Sequence, residues 1–201
     1  LGWRSRQLEQ CKKGRTKRQG EAQLNEKLLY VADIVENTIV DGIGFRTSLY
    51  LSGCDIRCEG CHNKELWDIN SGHAMEIDEV FERITGSFTN ITLIGGEPMM
   101  QAEPLAVLAE KIKTNTCKDI WIYSGHTYEE ILNNKKYFKL LKFCDVLVDG
   151  KFYKSYFQNN LRFRGSTNQR IIDIKKSLKK NRIILWNDEK YFQFTLFSEK
   201  H

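Results

Sequence analysis

Prolines and long apolar runs are scarce in this sequence of 201 residues. Its two prolines are too few for a collagen-like or proline-rich disordered chain. No run of 18 apolar residues occurs, so we expect no transmembrane helix. No charged stretch followed by an apolar stretch opens the chain, so we expect no signal peptide. The remaining composition, 41% hydrophobic and 28% charged, is typical of a globular protein with one domain.

An excess of positive charge is also missing from most of the chain. Residues 1–27 hold eight basic and three acidic residues, whereas the other 174 residues hold 23 of each sign. Charge therefore gives no support for nucleic-acid binding by the domain, and we expect no membrane binding either. We expect residues 1–27 to be a basic, disordered extension, with a partner-binding arm as the alternative, and residues 28–201 to form the functional domain.

Strand and helix patterns alternate from residue 28 onward. The apolar periodicity predicts strands at 28–34, 45–51, 90–93, 119–123, 144–148, 182–186 and 191–196, and helices at 76–85, 103–113, 127–132 and 136–141. Such alternation favours an α/β fold, with a mostly parallel sheet and flanking helices. The chain is too short for eight strand–helix units, so a partial barrel of about six strands fits better.

Three of the six cysteines lie within eight residues, in a C-x3-C-x2-C spacing. They are Cys54, Cys58 and Cys61, and they directly follow a predicted strand. Three thiolates at this spacing can bind three irons of a cubane cluster, which leaves the fourth iron open unless Cys117 or Cys144 binds it. Cys117 and Cys144 precede or begin predicted strands, so we expect both to be buried hydrophobic residues. A zinc site with His62 as fourth ligand is the alternative, although structural zinc more often uses paired cysteines. Without a secretory signal, we expect the reducing cytoplasm as the compartment.

A second motif, Gly95-Gly96-Glu97-Pro98, ends the next predicted strand. Glycines allow a ligand to approach the backbone closely, and a carboxylate suits an ammonium group. Together with the cysteine loop, this motif resembles the radical S-adenosylmethionine superfamily. The resemblance implies a partial (β/α)6-type barrel and a [4Fe–4S] cluster held by Cys54, Cys58 and Cys61. It also implies that the open iron binds S-adenosylmethionine.

A narrower resemblance is to the activating proteins of anaerobic ribonucleoside-triphosphate reductases. It covers about residues 28–185, and its segments are YVADIV at 30–35, IVDG at 39–42, CEGCHN at 58–63, WIYSGHTYEE at 121–130, VLVDGKF at 146–152 and RGSTNQR at 164–170. This family implies that S-adenosylmethionine is cleaved reductively to a 5′-deoxyadenosyl radical, which produces a glycyl radical on the large subunit of the reductase. A reduced flavodoxin or a similar protein is the implied electron donor.

The resemblance also implies the residues that contact the cofactor, with no catalytic residue beyond the ligands of the cluster and the cofactor. These contact residues are Gly60, Cys61, His62, Gly95, Gly96, Glu97, Asp149 and Lys151. Residues 123–125 end a predicted strand and are candidates for the nucleoside pocket, with simple strand capping as the alternative. Residues 164–170 are too polar for a core strand, so we expect a loop near the site or at the partner-facing surface.

Three alternative functions remain open. The chain could activate another glycyl-radical enzyme of the formate-lyase type. It could be an electron-transfer protein with a single cluster, which would need a fourth cysteine such as Cys117 or Cys144. It could also be a zinc-stabilised binding module.

Overall fold

The computed structural model of the protein describes residues 27–187. The predicted basic extension, apart from Lys27, and the predicted strand at 191–196 lie outside these residues. Within the described range, no helix combines the length and the apolar character that crossing a membrane requires.

Seven strands form one mixed sheet in the described range. They are β1 (Leu28–Thr38), β2 (Arg46–Leu51), β3 (His73–Glu76), β4 (Asn90–Gly95), β5 (Ile120–Ser124), β6 (Val146–Asp149) and β7 (Arg170–Asp173). The order across the sheet is β3-β1-β2-β4-β5-β6-β7. The four central strands, β2, β4, β5 and β6, run parallel, and the outer strands pair antiparallel.

Five α-helices of the described range cover one face of the sheet. They are α1 (Ile77–Thr85), α2 (Ala102–Asn115), α3 (Tyr128–Asn133), α4 (Lys135–Leu141) and α5 (Ile174–Lys180). Three of them, α2, α3 and α4, connect central strands. One row of fully buried residues crosses five strands in register beneath these helices: Leu49, Leu93, Ile122, Leu147 and Ile172. Because side chains alternate along a strand, the residues that precede and follow this row in each strand face the opposite side of the sheet.

The opposite face carries a buried arginine. Arg46 on β2 is fully buried and donates to the Thr92 hydroxyl at 2.6 Å and to the Asp119 carboxylate at 2.6 Å. Its guanidinium also donates to the carbonyls of Ile43 and Ile91 and lies 5.3 Å from the ring centre of Trp121. A buried cation is tolerated when its donors are satisfied in this way. This arginine therefore joins three parallel strands on the face that the α-helices leave uncovered.

The predicted α/β fold is confirmed, although the structure completes the sheet differently. The parallel part is limited to four strands, and β1, β3 and β7 extend it in antiparallel pairing. The predicted strand at 182–186 is wrong, because only an isolated bridge from Leu185 to Ile172 forms there. The sequence patterns missed the short strands β3 and β7 and the helix α5, since four-residue strands carry little periodicity.

Replacing Arg46 with methionine should lower the free energy of unfolding by about 3 kcal/mol, since the change removes a buried ion pair and four donated hydrogen bonds. Lys136→Met is the matched control. Lys136 pairs with Glu103 on the surface, where an ion pair contributes less than about 1 kcal/mol. Urea unfolding of the full chain measures both changes, and equal losses for the two variants would contradict the role given to Arg46.

Candidate active site

The cysteine loop follows β2 and is held at both ends by backbone hydrogen bonds. The amide of Gly53 donates to the carbonyl of Leu66 at 2.8 Å, and the amide of Cys54 donates to the carbonyl of Trp67 at 3.0 Å. Within the loop, between these two anchored ends, Gly60 has a φ of +76°, a conformation that favours glycine. The loop therefore returns to its starting point, and its three cysteines lie on one compact turn of chain.

The three cysteines and the glycine-rich motif line the same cavity of about 400 Å³. That volume lies in the range of small-molecule sites. The cavity opens at the carboxyl ends of the parallel strands, where α/β sheets place their ligands. Its lining includes Cys54, Cys58, Cys61, His62, Gly95, Gly96, Glu97, Tyr123, Ser124, Gly125, Gly150, Phe152, Phe163, Arg164, Gly165 and Gln169.

The arrangement of the thiols fits a cluster better than a single ion. In the described range, no three His, Cys, Asp or Glu side chains converge on one metal position. A cubane does not require such convergence, because each thiolate binds a different iron. Burial raises the pKa of the Cys54 and Cys58 thiols, and nearby backbone amides oppose the rise. Bound iron would favour the thiolates in the same way as these amides, but far more strongly.

The segment that anchors the cysteine loop also contains Trp67. Its carbonyl accepts from the Cys54 amide, and its indole Nε1 is buried without a hydrogen-bond partner among residues 27–187. Buried donors in proteins are nearly always paired. The segment that anchors the cysteine loop therefore has an unused donor.

The glycine-rich motif is packed directly against the cysteine loop. The amide of Glu97 donates to the carbonyl of Gly53 at 2.7 Å, and the amide of Gly96 donates to the carbonyl of Leu51 at 2.7 Å. A Cβ atom on Gly96 would lie 2.2 Å from the Gly53 carbonyl oxygen, so no other residue fits there without movement. Gly96 is thus required by the contact between the two motifs themselves.

The Glu97 carboxylate is 1% exposed and already has three donors. It accepts from the Met99 amide at 2.9 Å, the Ser124 hydroxyl at 2.9 Å and the Gly125 amide at 2.7 Å. Burial raises the pKa of Glu97, and the hydrogen bonds from these groups oppose that rise. In this structure the carboxylate therefore joins the end of β4 to the end of β5, and Glu97 is also part of the cavity lining.

Three of the predicted cofactor residues are absent from the lining that the structure describes for this cavity. Gly60 faces the side chain of Lys154, and Lys151 lines a neighbouring groove together with Cys58. Asp149 is 1% exposed because its carboxylate pairs with Arg170 and accepts from the Tyr128 amide at 2.7 Å. Asp149 therefore holds the loop after β6 in place.

Sequence reasoning gave no role to Asp41, which the structure places in the cavity wall. Its carboxylate accepts from the Ser48 hydroxyl at 2.8 Å and from the Tyr50 hydroxyl at 3.0 Å. Burial and this neighbouring carboxylate raise the pKa of Tyr50 to about 12. Residues 39–42, which contain Asp41, are one of the segments that resemble the activating proteins, and that resemblance was the sequence signal that could have indicated Asp41. Phe152 also belongs to a segment of the resemblance, whereas Phe163 carried no signal, because its pattern does not differ from that of core residues.

The two remaining described cysteines lie away from the site. Cys144 is fully buried among core residues, as predicted. The prediction that Cys117 is buried is wrong: it is exposed, because it lies in the surface loop between α2 and β5. Across residues 27–187, no fourth cysteine lines the cavity.

Comparison with known proteins agrees with this geometry. Residues 40–172 match the family model described as "4Fe-4S single cluster domain". The chain is 37% identical over 141 residues to the anaerobic ribonucleoside-triphosphate reductase-activating protein of Vibrio cholerae, which covers 65% of this chain and 89% of the relative. A relative of the same name from Enterobacteria phage T4 is 33% identical, and the match covers 74% of this chain and 93% of that protein. A third, from Escherichia coli K12, is 35% identical, and the match covers 65% of this chain and 90% of that protein.

Among solved structures, QueE from Escherichia coli overlaps 50% of this chain and 53% of its own, with a TM-score of 0.44 and 17% identity. That overlap is too low to add to the assignment, which rests on the sequence relatives. The matched family model spans both motifs that line the cavity, and the relatives match over nearly their own full length. The chain therefore belongs to the family of anaerobic ribonucleoside-triphosphate reductase-activating proteins.

Proposed function

We propose that this chain activates an anaerobic ribonucleoside-triphosphate reductase by producing a glycyl radical on its large subunit. The observation that carries the proposal is that Cys54, Cys58 and Cys61 share one cavity with Gly95, Gly96 and Glu97. When bound, the reduced [4Fe–4S] cluster supplies one electron that cleaves S-adenosylmethionine to methionine and a 5′-deoxyadenosyl radical, which takes a hydrogen atom from a glycine of the reductase.

The three cysteines are the proposed cluster ligands, one for each of three irons. The fourth iron is then left for the amino and carboxylate groups of S-adenosylmethionine. Cys144 is buried in the core and Cys117 lies in an exposed loop, which disfavours a four-cysteine electron-transfer site within the described chain. The ligand count thus supports an enzyme that binds a small molecule at its cluster.

The protein's own residues provide position and exclude water. Glu97 fixes the ends of β4 and β5 through its three donors, and Gly96 keeps the motif in contact with the cysteine loop. Ile94, Phe152 and Phe163 give the cavity apolar walls. A reactive radical needs such an enclosure, because competing reactions are then suppressed.

The reductase is the proposed macromolecular substrate, and a reduced flavodoxin or a similar protein is the proposed electron donor. The free thiols of the cysteine loop require a reducing compartment to remain available to iron. We therefore place the protein in the cytoplasm.

Cys58→Ala should assemble little cubane cluster, since one of three iron ligands is lost, and should not cleave S-adenosylmethionine. Cys117→Ser is the matched control, because Cys117 is exposed and outside the cavity. The measurements are iron per chain after anaerobic reconstitution and electron paramagnetic resonance of the reduced protein with and without S-adenosylmethionine. The glycyl radical on the reductase is measured in the same samples. A Cys58→Ala protein that still cleaves the cofactor would contradict the proposal.

Gly96→Ala should destabilise the fold by roughly 1–3 kcal/mol, because the new methyl group would overlap the Gly53 carbonyl. It should also reduce the iron content, since the cysteine loop must move away. Gly86→Ala is the control: Gly86 has a φ of −64° and its Cβ would meet its nearest neighbour at 3.3 Å. Urea unfolding and iron analysis of both variants test this, and a Gly96→Ala protein with normal iron content would show that the contact is not needed.

A further inference from the structure

Four side chains from residues 166–170 hold the loop that follows β6. We call residues 164–170 the clasp. The pairs are Ser166 with the Tyr153 amide at 3.3 Å, Asn168 with the Lys151 carbonyl at 2.8 Å, Gln169 with the Gly150 carbonyl at 2.9 Å, and Arg170 with the Asp149 carboxylate at 2.9 Å. Nearly every residue from 149 to 153 therefore has a bond to the clasp, although the two segments are about 17 positions apart in sequence.

In Gln169 of the clasp, both the oxygen and the nitrogen of the side-chain amide form hydrogen bonds. Its Oε1 accepts from the amides of Gly165 at 2.9 Å and Ser166 at 3.1 Å. Its Nε2 donates to the carbonyl of Gly150 at 2.9 Å. One side-chain amide thus fixes the shape of the clasp and ties the clasp to the loop after β6. Gln169 is partly buried, so these bonds are shielded from water.

The two segments that Gln169 joins both form walls of the cavity. Gly150, Gly165 and Gln169 itself are in its lining, and Phe152 lies between the clasp and the cysteine loop. The Phe152 ring lies 6.0 Å from that of His62, and a Cβ atom on Gly165 would lie 3.0 Å from the Phe152 ring. A change in the backbone at Gly150 would therefore reach the cysteine loop within two residues.

We propose that Gln169 is a positioning residue for the cofactor cavity, since it holds the backbone from Gly150 to Phe152 against the cysteine loop through its contacts with Gly150, Gly165 and Ser166. This inference rests on the proposed function, because it concerns the wall of the cavity assigned to S-adenosylmethionine. Gln169 acts on the cofactor through the backbone that it fixes.

Two variants separate the hydrogen bonds of Gln169 within the clasp from its hydrogen bond to Gly150. Gln169→Leu has a similar size and removes all three hydrogen bonds. Gln169→Glu can still accept from Gly165 and Ser166, but its second carboxylate oxygen faces the Gly150 carbonyl and repels it. Gln158 supplies the matched controls Gln158→Leu and Gln158→Glu, because it is exposed and its side chain has no hydrogen bond among the described residues.

The test uses the full chain, reconstituted anaerobically with iron and sulfide. Iron per chain is measured first, and the dissociation constant of S-adenosylmethionine is then read from the change in the electron paramagnetic resonance signal. We expect both Gln169 variants to bind iron like the parent chain and to bind S-adenosylmethionine about tenfold more weakly, the effect of one lost hydrogen bond of ordinary strength. Hydrogen exchange of the amides at 150–153 should be faster in both variants. The Gln158 variants should match the parent in every measurement.

The outcomes distinguish this inference from the proposed function. If the parent chain assembles no cluster, or if its cluster does not respond to S-adenosylmethionine, the proposed function is wrong. If the parent responds and the Gln169 variants bind the cofactor equally well, Gln169 is not a positioning residue. A lower melting temperature with unchanged affinity has the same meaning, because the role is then only structural. Should Gln169→Leu fail to fold, Gln169→Glu decides, since it keeps the two bonds within the clasp.

Discussion

The carbonyl of Gly53 accepts a hydrogen bond from the Glu97 amide at 2.7 Å, and this contact sets the position of the whole site. Gly53 begins the cysteine loop, and Glu97 belongs to the glycine-rich motif at the end of β4. Because Gly96 has no side chain, the two backbones approach closely enough for the bond to form. The cavity exists between these two segments, so its width depends on how closely they meet.

Much of this site follows from the sequence, because its parts are local. The three cysteines lie within one loop, and the glycine-rich motif directly follows a strand whose apolar pattern is clear. Parallel strands bring their carboxyl ends to one edge of the sheet, so the pattern of strands alone predicts that the two motifs meet. The loop character of residues 164–170 was also evident from their polarity, and the structure places this loop in the cavity wall.

Other features of the structure depend on contacts between distant residues, which sequence patterns do not reveal. Asp149 resembles a cofactor residue by its motif, yet its environment depends on Arg170, 21 positions later. The backbone of Lys151 likewise has a distant partner, since its carbonyl accepts from the Asn168 side chain at 2.8 Å. The strand β7 has four residues and follows a polar segment, so it leaves no periodic signal of its own. Cys117 lies just before a predicted strand, which favoured a buried position, but the structure places it in an exposed loop before β5.

A continuous series of hydrogen bonds connects the strand ends around the cavity. Gly53 after β2 bonds to Glu97 after β4, and the Glu97 carboxylate bonds to Ser124 and Gly125 at the end of β5. The series continues from the His126 carbonyl to the Gly150 amide after β6, at 3.2 Å.

From Gly150 the series passes to Gln169, just before β7. At the end of a sheet the ladder of backbone bonds stops, and its polar groups need other partners. Here the segment after each strand forms hydrogen bonds with the segment at the same end of the adjacent strand. A displacement at either end of the series would therefore shift the cavity wall. The buried Glu97 carboxylate and the partly buried Gln169 amide thus influence the shape of a cavity whose cysteines all belong to one loop.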